Sequence, residues 1–165
     1  MKIGVIPKVV VQGAFGPKEY GILLTNKRTL FVQSSPNKAK ATAWFGLVGG
    51  LIADSLKPDE AVDYAGADIE ELRKDSNNIS VRHEKLTRLL LKKGIGGYSL
   101  RMEYEIKGKP HKVVANIVPP DDLIKQGKQE GASGGDIKKE YVEKIRLAFE
   151  RAMPPEAAQK IEWVV

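Results

Sequence analysis

The sequence predicts an α+β protein whose core is a partly open antiparallel β-barrel of about seven strands, capped by a C-terminal amphipathic helix. Residues 20–32, YGILLTNKRTLFV, place two apolar strands around a short polar turn, which indicates a hairpin. Residues 98–106 alternate apolar and polar side chains, the period of a strand with one buried face. Residues 136–153 repeat apolar side chains at spacings of three and four, as a helix packed on one side does.

The β region divides into seven predicted strands. Pro7 cannot donate to a ladder, so the first strand is expected to lie at a sheet edge or to start late. Asn26 is expected to take the left-handed conformation of a two-residue hairpin turn. The strands, in order, are Val5–Val11, Glu19–Thr25, Arg28–Gln33, Asn77–Arg82, Leu86–Lys93, Tyr98–Ile106 and Pro110–Val118.

A helical insertion is predicted after the third strand, over about residues 39–56. Its glycines cost helix stability, about 1 kcal/mol each relative to alanine, so we expect packing to hold it in place. Its apolar stripe also makes it a candidate interface helix, Trp44–Leu56, for the barrel, a second chain or lipid. The stripe comprises Trp44, Leu47, Val48, Leu51, Ile52 and Leu56.

The remaining helices close the predicted domain. Asp68–Lys74 reads as a short helix with Asp68 as its N-cap. The polar, glycine-rich stretch Gln126–Gly135 is expected to be a mobile loop before the helix Asp136–Met153. A short helix is expected to follow to Ile161. We therefore predict a single domain over residues 1–165, with its core at about 5–153 and a C-terminal extension at 154–165.

Composition bounds the protein's class. The chain has 165 residues, a formal net charge of +6 and no cysteine, which removes disulfides and thiolate chemistry and fits a reducing cytoplasm. Lys85–Lys112 holds eight basic against two acidic residues, a surplus of six positive charges. Such a segment can meet phosphates or an anionic membrane, or can be a solvated sheet face. Solvation is the favoured interpretation because no run of basic residues is dense.

The sequence predicts no catalytic, cofactor-binding or metal site, and hence a protein that is not an enzyme. Its two histidines, His83 and His111, stand in no metal-ligand spacing and near no nucleophile motif, so both are interpreted as packed or surface side chains. RNA-binding sheets expose aromatic side chains between basic ones. Here Tyr98 and Tyr104 share the strand parity of Leu100 and Met102, which must be core. This parity argues against a nucleic-acid partner.

The segment Ile22–Val32, ILLTNKRTLFV, resembles the hairpin of GRAM and bacterial pleckstrin-homology (PH)-type domains, in which a leucine–threonine–Asx–basic–arginine turn joins the second and third strands. Asp68–Val81 is similar to the stretch that enters the fourth strand in those proteins. The resemblance covers roughly residues 5–153 and implies the PH-like superfold, apart from the helical insertion. That superfold hosts lipid-binding, peptide-binding and scaffolding proteins.

The resemblance implies a non-enzymatic binding module, with an anionic membrane surface or a protein segment as its ligand. We expect a cytoplasmic protein. If its ligand is a membrane, we expect it to attach to the membrane surface without crossing it. The candidate contacts to an anionic ligand are Lys27, Arg28, Lys107 and Lys109 in two basic turns. The alternative is a structural protein that forms a homo-oligomer through the candidate interface helix.

Overall fold

The computed structural model describes residues 4–33 and 72–164 of the chain. It is an α+β fold with an open, mixed sheet of eight strands and a few helices. The strands are β1 (Gly4–Gly13), β2 (Gly16–Leu24), β3 (Arg28–Gln33), β4 (Ile79–Arg82), β5 (Leu86–Gly94), β6 (Gly97–Ile106), β7 (Lys109–Ile117) and β8 (Ile161–Val164). The helices are a 3₁₀ turn (His83–Lys85), α1 (Asp121–Gln129), α2 (Gly134–Ala152) and α3 (Pro155–Ala158).

The strand order in the sheet is β4-β3-β2-β1-β7-β6-β5-β8. Two meanders, β1 to β4 and β5 to β7, join where β1 pairs antiparallel with β7. The eighth strand was not predicted: β8 pairs parallel with β5. The sheet is therefore mixed, and β4 and β8 form its two edges.

Pro7 lies within β1, which begins at Gly4 and is an internal strand, so the predicted edge position or late start is wrong. β1 pairs with β2 on one side and with β7 on the other, but the β7 pairing begins only at Val9. The register against β2 also shifts between Ile6 and Val9. The missing N–H of proline thus falls where the ladder is already interrupted, which is how an internal strand tolerates it.

The main core lies between the inner faces of the strands and α2. The stripe predicted for the C-terminal helix is buried as expected, with Val142 in addition. The alternating parity of β6 is also confirmed for Tyr98, Leu100, Met102 and Tyr104. Ile106 departs from it because β6 ends there, and its side chain is 46% exposed.

Three further local predictions are corrected. Asn26 does not take a positive φ; among the described non-glycine residues only Lys107 does, at 51°. Of residues 126–135, only 130–133 connect the helices as a loop, because α1 extends to Gln129 and α2 begins at Gly134. Gly127 permits this, since a Cβ there would lie 2.7 Å from the Cδ1 of Ile137. The last predicted helix ends at Ala158, and β8 follows it.

The helical insertion at 39–56, including the candidate interface helix, lies outside the described residues. The predicted helix Asp68–Lys74 lies outside them except for residues 72–74, which are helical.

Candidate functional site

The four predicted contacts to an anionic ligand lie at opposite ends of the strands. Lys27 and Arg28 belong to the turn between β2 and β3, whereas Lys107 and Lys109 belong to the turn between β6 and β7. β7 runs antiparallel to β1, so its first residues lie beyond the C-terminal end of β1. The β2–β3 turn adjoins the N-terminal end of β1, where Gly4 pairs with Leu24. The fold therefore brings the members of each pair together, but not the two pairs.

The first end is organised by the 25–28 turn. The hydroxyl of Thr25, a buried residue, accepts from the backbone N–H groups of Lys27 (3.2 Å) and Arg28 (3.0 Å) and donates to the Arg28 carbonyl (3.2 Å). The Thr25 N–H donates to the same carbonyl at 2.9 Å. The threonine of the motif, and not Asn26, fixes the backbone of this turn.

A cleft of about 610 Å³ opens between the 25–28 turn, the 3₁₀ turn and α3. Among the described residues, its charged lining comprises four cationic and two anionic side chains. They come from three separate parts of the chain, so no local sequence pattern predicts the cluster. The cationic residues are Lys27, Arg28, Arg82 and Lys160, and the anionic ones are Glu84 and Glu156.

Contacts to the fold orient three of these cations. The Arg28 guanidinium donates to the Ser80 hydroxyl at 3.4 Å. The Lys160 ammonium donates to the Leu86 carbonyl at 2.6 Å. Arg82 pairs with Glu84 at 3.5 Å, with both side chains more than half exposed, so this pair adds little to stability. Arg82 and Lys160 have N–H groups besides those in these contacts.

His83 forms part of the cleft wall and is 2% exposed. Its Nδ1 lies 3.3 Å from the Asn26 carbonyl oxygen, which can only accept, so Nδ1 carries the proton. Its Nε2 then accepts from the Thr29 hydroxyl at 2.9 Å. Burial lowers the pKa of His83 from its ordinary value; the bond to Asn26 opposes this shift, and the Arg28 charge adds to it. The cleft is therefore lined by a neutral, doubly hydrogen-bonded imidazole.

The second end carries an exposed aromatic side chain that the sequence analysis missed. Phe15 sits at the tip of the β1–β2 hairpin, between the pair Gly13 and Gly16, and is 97% exposed. Gly16 has φ 111°, a backbone conformation that residues other than glycine rarely adopt. A phenylalanine enclosed by glycines in a loop between two strands is the signal that could have found it.

Exposed lysines lie at the same end of the strands as this tip. Lys18 lies on β2 opposite Val11, and Lys107, Lys109 and Lys112 lie at the β6–β7 end. The hairpin tip extends past Val11↔Ala115, the last β1–β7 pair, in the direction of Lys112. We call Phe15 with these four lysines the Phe15 end. A second apolar tip, Ile95 between β5 and β6, is fully exposed at the other end of the strands.

The remaining sequence predictions concern side chains away from both ends. Tyr98 and Tyr104 are buried, as their parity predicts. His111 is exposed and stacks on Tyr104, with ring centroids 5.7 Å apart. Within residues 4–33 and 72–164, no group of three or more acidic, histidine or cysteine side chains could hold a metal ion. In the same described ranges, no helix has the length and apolar character needed to cross a membrane.

Comparisons with known proteins give one weak structural likeness. No protein-family model matches the chain, and no curated protein matches it. A similar solved structure is the hSac2 domain from human phosphoinositide phosphatase Sac2, at 9% identity and a TM-score of 0.46, covering 98% of this chain and 74% of that one. That neighbour is described as a domain from a phosphatase, so the prediction that the chain is not an enzyme is not carried further. At this TM-score, the likeness assigns no activity, substrate or residue to the chain.

Proposed function

We propose that this chain is a binding module that attaches to an anionic membrane surface through the Phe15 end. The observation that carries the proposal is the Phe15 ring, almost fully exposed at a hairpin tip. The same end of the strands carries four exposed lysines. An exposed aromatic ring costs solubility and stabilises nothing in the fold, whereas at a membrane interface it buries its apolar surface.

We also propose that the architecture is PH-like, with a partly open barrel. Support comes from the two meanders, β1 to β4 and β5 to β7, followed by the 19-residue helix α2 packed against β1, β2 and β6. The threonine-centred 25–28 turn fits the GRAM-type motif. The parallel strand β8 and helix α1 are additions to that plan.

The two components of the surface are each large enough to matter. Burial of a phenylalanine side chain is worth about 1.5–3 kcal/mol. A lysine near an anionic leaflet adds about 1 kcal/mol. Two exposed acids, Glu19 and Glu105, neighbour the four lysines in sequence and reduce the electrostatic share. The apolar ring is therefore expected to contribute as much as the charges, and binding should survive moderate salt.

Two other interpretations remain to be distinguished by experiment. A protein segment could add to the exposed edge of β4 or β8, where ladder groups on one side have no strand partner within the described sheet. A homo-oligomer could form through the Trp44–Leu56 segment. Light scattering on the purified protein, with and without anionic vesicles, separates them. Co-elution of a monomer with vesicles supports the membrane proposal, and a defined oligomer that ignores vesicles contradicts it.

The decisive experiment compares matched substitutions at the two ends. Co-sedimentation is measured with phosphatidylcholine vesicles with and without phosphatidylglycerol. Phe15→Ser should lower the vesicle partition coefficient at least about ten-fold, since ring burial is worth about 1.5 kcal/mol or more. Ile95→Ser removes an equally exposed apolar side chain at the other end and should leave binding unchanged.

A charge comparison tests the same orientation independently. The double substitution of Lys107 and Lys109 to glutamate should abolish binding to vesicles that contain phosphatidylglycerol. The same change at Lys27 and Arg28 should reduce it only slightly. Equal loss from both pairs, or binding that Phe15→Ser leaves intact, would refute attachment through the Phe15 end.

A further inference from the structure

We propose that the edge of β5, bordered by Arg146 of α2, is a docking groove for an extended segment of a partner protein, and that β8 fills this groove in the structure. The recognised segment runs parallel to β5 and carries a glutamate followed by an aromatic residue, between two aliphatic residues. The groove shares no residue with the Phe15 end, and the inference goes beyond the proposed membrane attachment.

The first argument is the fit between the groove and the glutamate of β8. The parallel register aligns residues 161–164 with residues 89–92. The guanidinium of Arg88 donates two hydrogen bonds to the Glu162 carboxylate, at 2.7 and 3.0 Å. Bidentate pairing of this kind depends on geometry as well as on charge. A glutamate is therefore the residue that this position of the groove selects.

Arg146 contacts the aromatic position of the bound strand. Its guanidinium lies 5.4 Å from the centroid of a Trp163 ring, a cation–π distance. On α2, Glu143 and Glu150 both accept hydrogen bonds from the same guanidinium. Arg146 is therefore held by its own helix, independently of β8. An aromatic side chain that enters the groove meets a cation that is already in place, so little side-chain freedom is lost on binding.

The second argument is that selective contacts, more than burial, hold β8 in the groove. None of its four residues is buried, and Val164 is 50% exposed. Within the described sheet, β8 pairs with β5 alone, and parallel pairing is slightly less stable per residue than antiparallel pairing. The Arg88–Glu162 ion pair is between exposed side chains and adds little stability. β8 therefore opens at a low free-energy cost compared with the strands of the core.

Departure of β8 turns β5 into an edge strand. The Leu89 N–H, which donates to the Lys160 carbonyl at 3.0 Å, is one of the backbone groups that would lose its partner. A strand edge with unpaired backbone groups accepts an added strand. Its main-chain hydrogen bonds provide affinity, and the side chains beside it provide specificity. A partner segment and β8 therefore compete for the same groups.

Competition with β8 also identifies the kind of occupant. The chain's own β8 is tethered beside the groove, so its effective concentration is high, on the order of mM for a short linker. The β8 of a second copy offers the same four residues at a lower concentration and does not displace it. A partner segment displaces β8 when it continues the ladder beyond four residues or fills the two side-chain positions better.

The test uses the full chain and a fluorescent peptide with the sequence of residues 159–165, QKIEWVV. Anisotropy measures binding, and NMR follows the amide resonances of β5. Saturable binding is expected, weakened by the fraction of chains in which β8 closes the groove. In the full-chain variant Trp163→Ser, β8 loses its contact with Arg146 while the peptide keeps its tryptophan. The apparent affinity should therefore rise about two- to five-fold, the worth of an exposed cation–π contact.

A reciprocal charge reversal tests the selectivity of the groove. The wild-type chain should prefer the peptide over its Glu162→Lys version by about five-fold. Arg88→Glu in the chain should reverse this preference, because the groove then repels glutamate and attracts lysine. The ratio between two peptides on one chain does not depend on how often β8 leaves. The matched control is Arg101→Glu, the same change on a similarly exposed residue of β6, one strand further from β8; it should keep the wild-type preference.

Light scattering at the same concentrations identifies the occupant, and a monomer that binds the peptide supports the inference. A concentration-dependent dimer that Arg88→Glu disrupts would assign the groove to the β8 of a second copy and overturn the partner proposal. Lack of saturable binding to the Trp163→Ser chain would also overturn it, as would equal effects of Arg88→Glu and Arg101→Glu on the peptide preference. Phe15→Ser should leave peptide binding unchanged, so failure of membrane attachment does not affect this inference.

Discussion

Substitution of Thr25 is expected to destabilise the fold through its hydroxyl and not through its size. The Thr25 hydroxyl makes three of the hydrogen bonds in the 25–28 turn, two to N–H groups and one to a carbonyl. Thr25→Val keeps the branched shape and removes all three. Thr25→Ser keeps the hydroxyl and removes only a methyl group. The pair of variants therefore separates the contribution of hydrogen bonding from that of packing at a single residue.

The magnitude follows from what each variant leaves behind. In Thr25→Val the N–H of Lys27 can be hydrated because that residue is exposed, but the N–H of Arg28 is only partly accessible. One incompletely satisfied buried donor and the lost net hydrogen bonds together cost about 2 kcal/mol. In Thr25→Ser, one buried methyl group is lost, worth about 0.8 kcal/mol.

Urea unfolding followed by circular dichroism measures both changes. The unfolding midpoint should fall in the order wild type, Thr25→Ser, Thr25→Val, with an unchanged dependence of the free energy on urea concentration. If Thr25→Val is as stable as Thr25→Ser, the turn does not depend on the hydroxyl and the reasoning is refuted.

Two further predictions concern His83 and the contact between α1 and α2. The unfolded chain takes up a proton on His83 more readily than the folded chain, whose His83 pKa is lowered. The free energy of unfolding should therefore fall as the pH drops from 7.5 through the unfolded pKa, about 6.5. His83→Gln should abolish this dependence, and His111→Gln should preserve it; a wild-type curve that is flat between pH 7.5 and 5.5 would contradict the assignment. Gly127→Ala should destabilise the wild type, since its Cβ would overlap Ile137. In an Ile137→Ala background the same change should stabilise by up to about 1 kcal/mol, the helix preference of alanine. Thermal unfolding of the wild type, the two single variants and the double variant measures the effect of Gly127→Ala in both backgrounds; an effect of the same sign in both would show that the two helices do not meet as described.

The local elements were predictable where one periodicity ran unbroken. The hairpin around the 25–28 turn, the alternation of β6 and the stripe of α2 all depend on side chains a few residues apart, and all three are confirmed. The predictions were wrong where tertiary packing required a structure that differs from the local sequence preference. The glycine-rich residues 126–135 read as a loop, yet Gly127 is the residue that lets α1 approach Ile137 closely. Pro7 read as an edge signal, yet an interruption of the ladder accommodates it internally.

The sequence by itself determined seven of the eight described strands, the long C-terminal helix and the two basic turns, because periodicity and turn chemistry act between neighbours. The parallel pairing of β8 with β5 was decided by tertiary structure, since strand partners distant in sequence leave no local pattern. Tertiary structure also decided that Lys27 and Lys107 lie at opposite ends and that Phe15 is exposed at the end that carries Lys107. It likewise brought Arg82, His83 and Lys160 to the 25–28 turn around one cleft. A site built from separate parts of the chain exists only through the register and packing that bring those parts together.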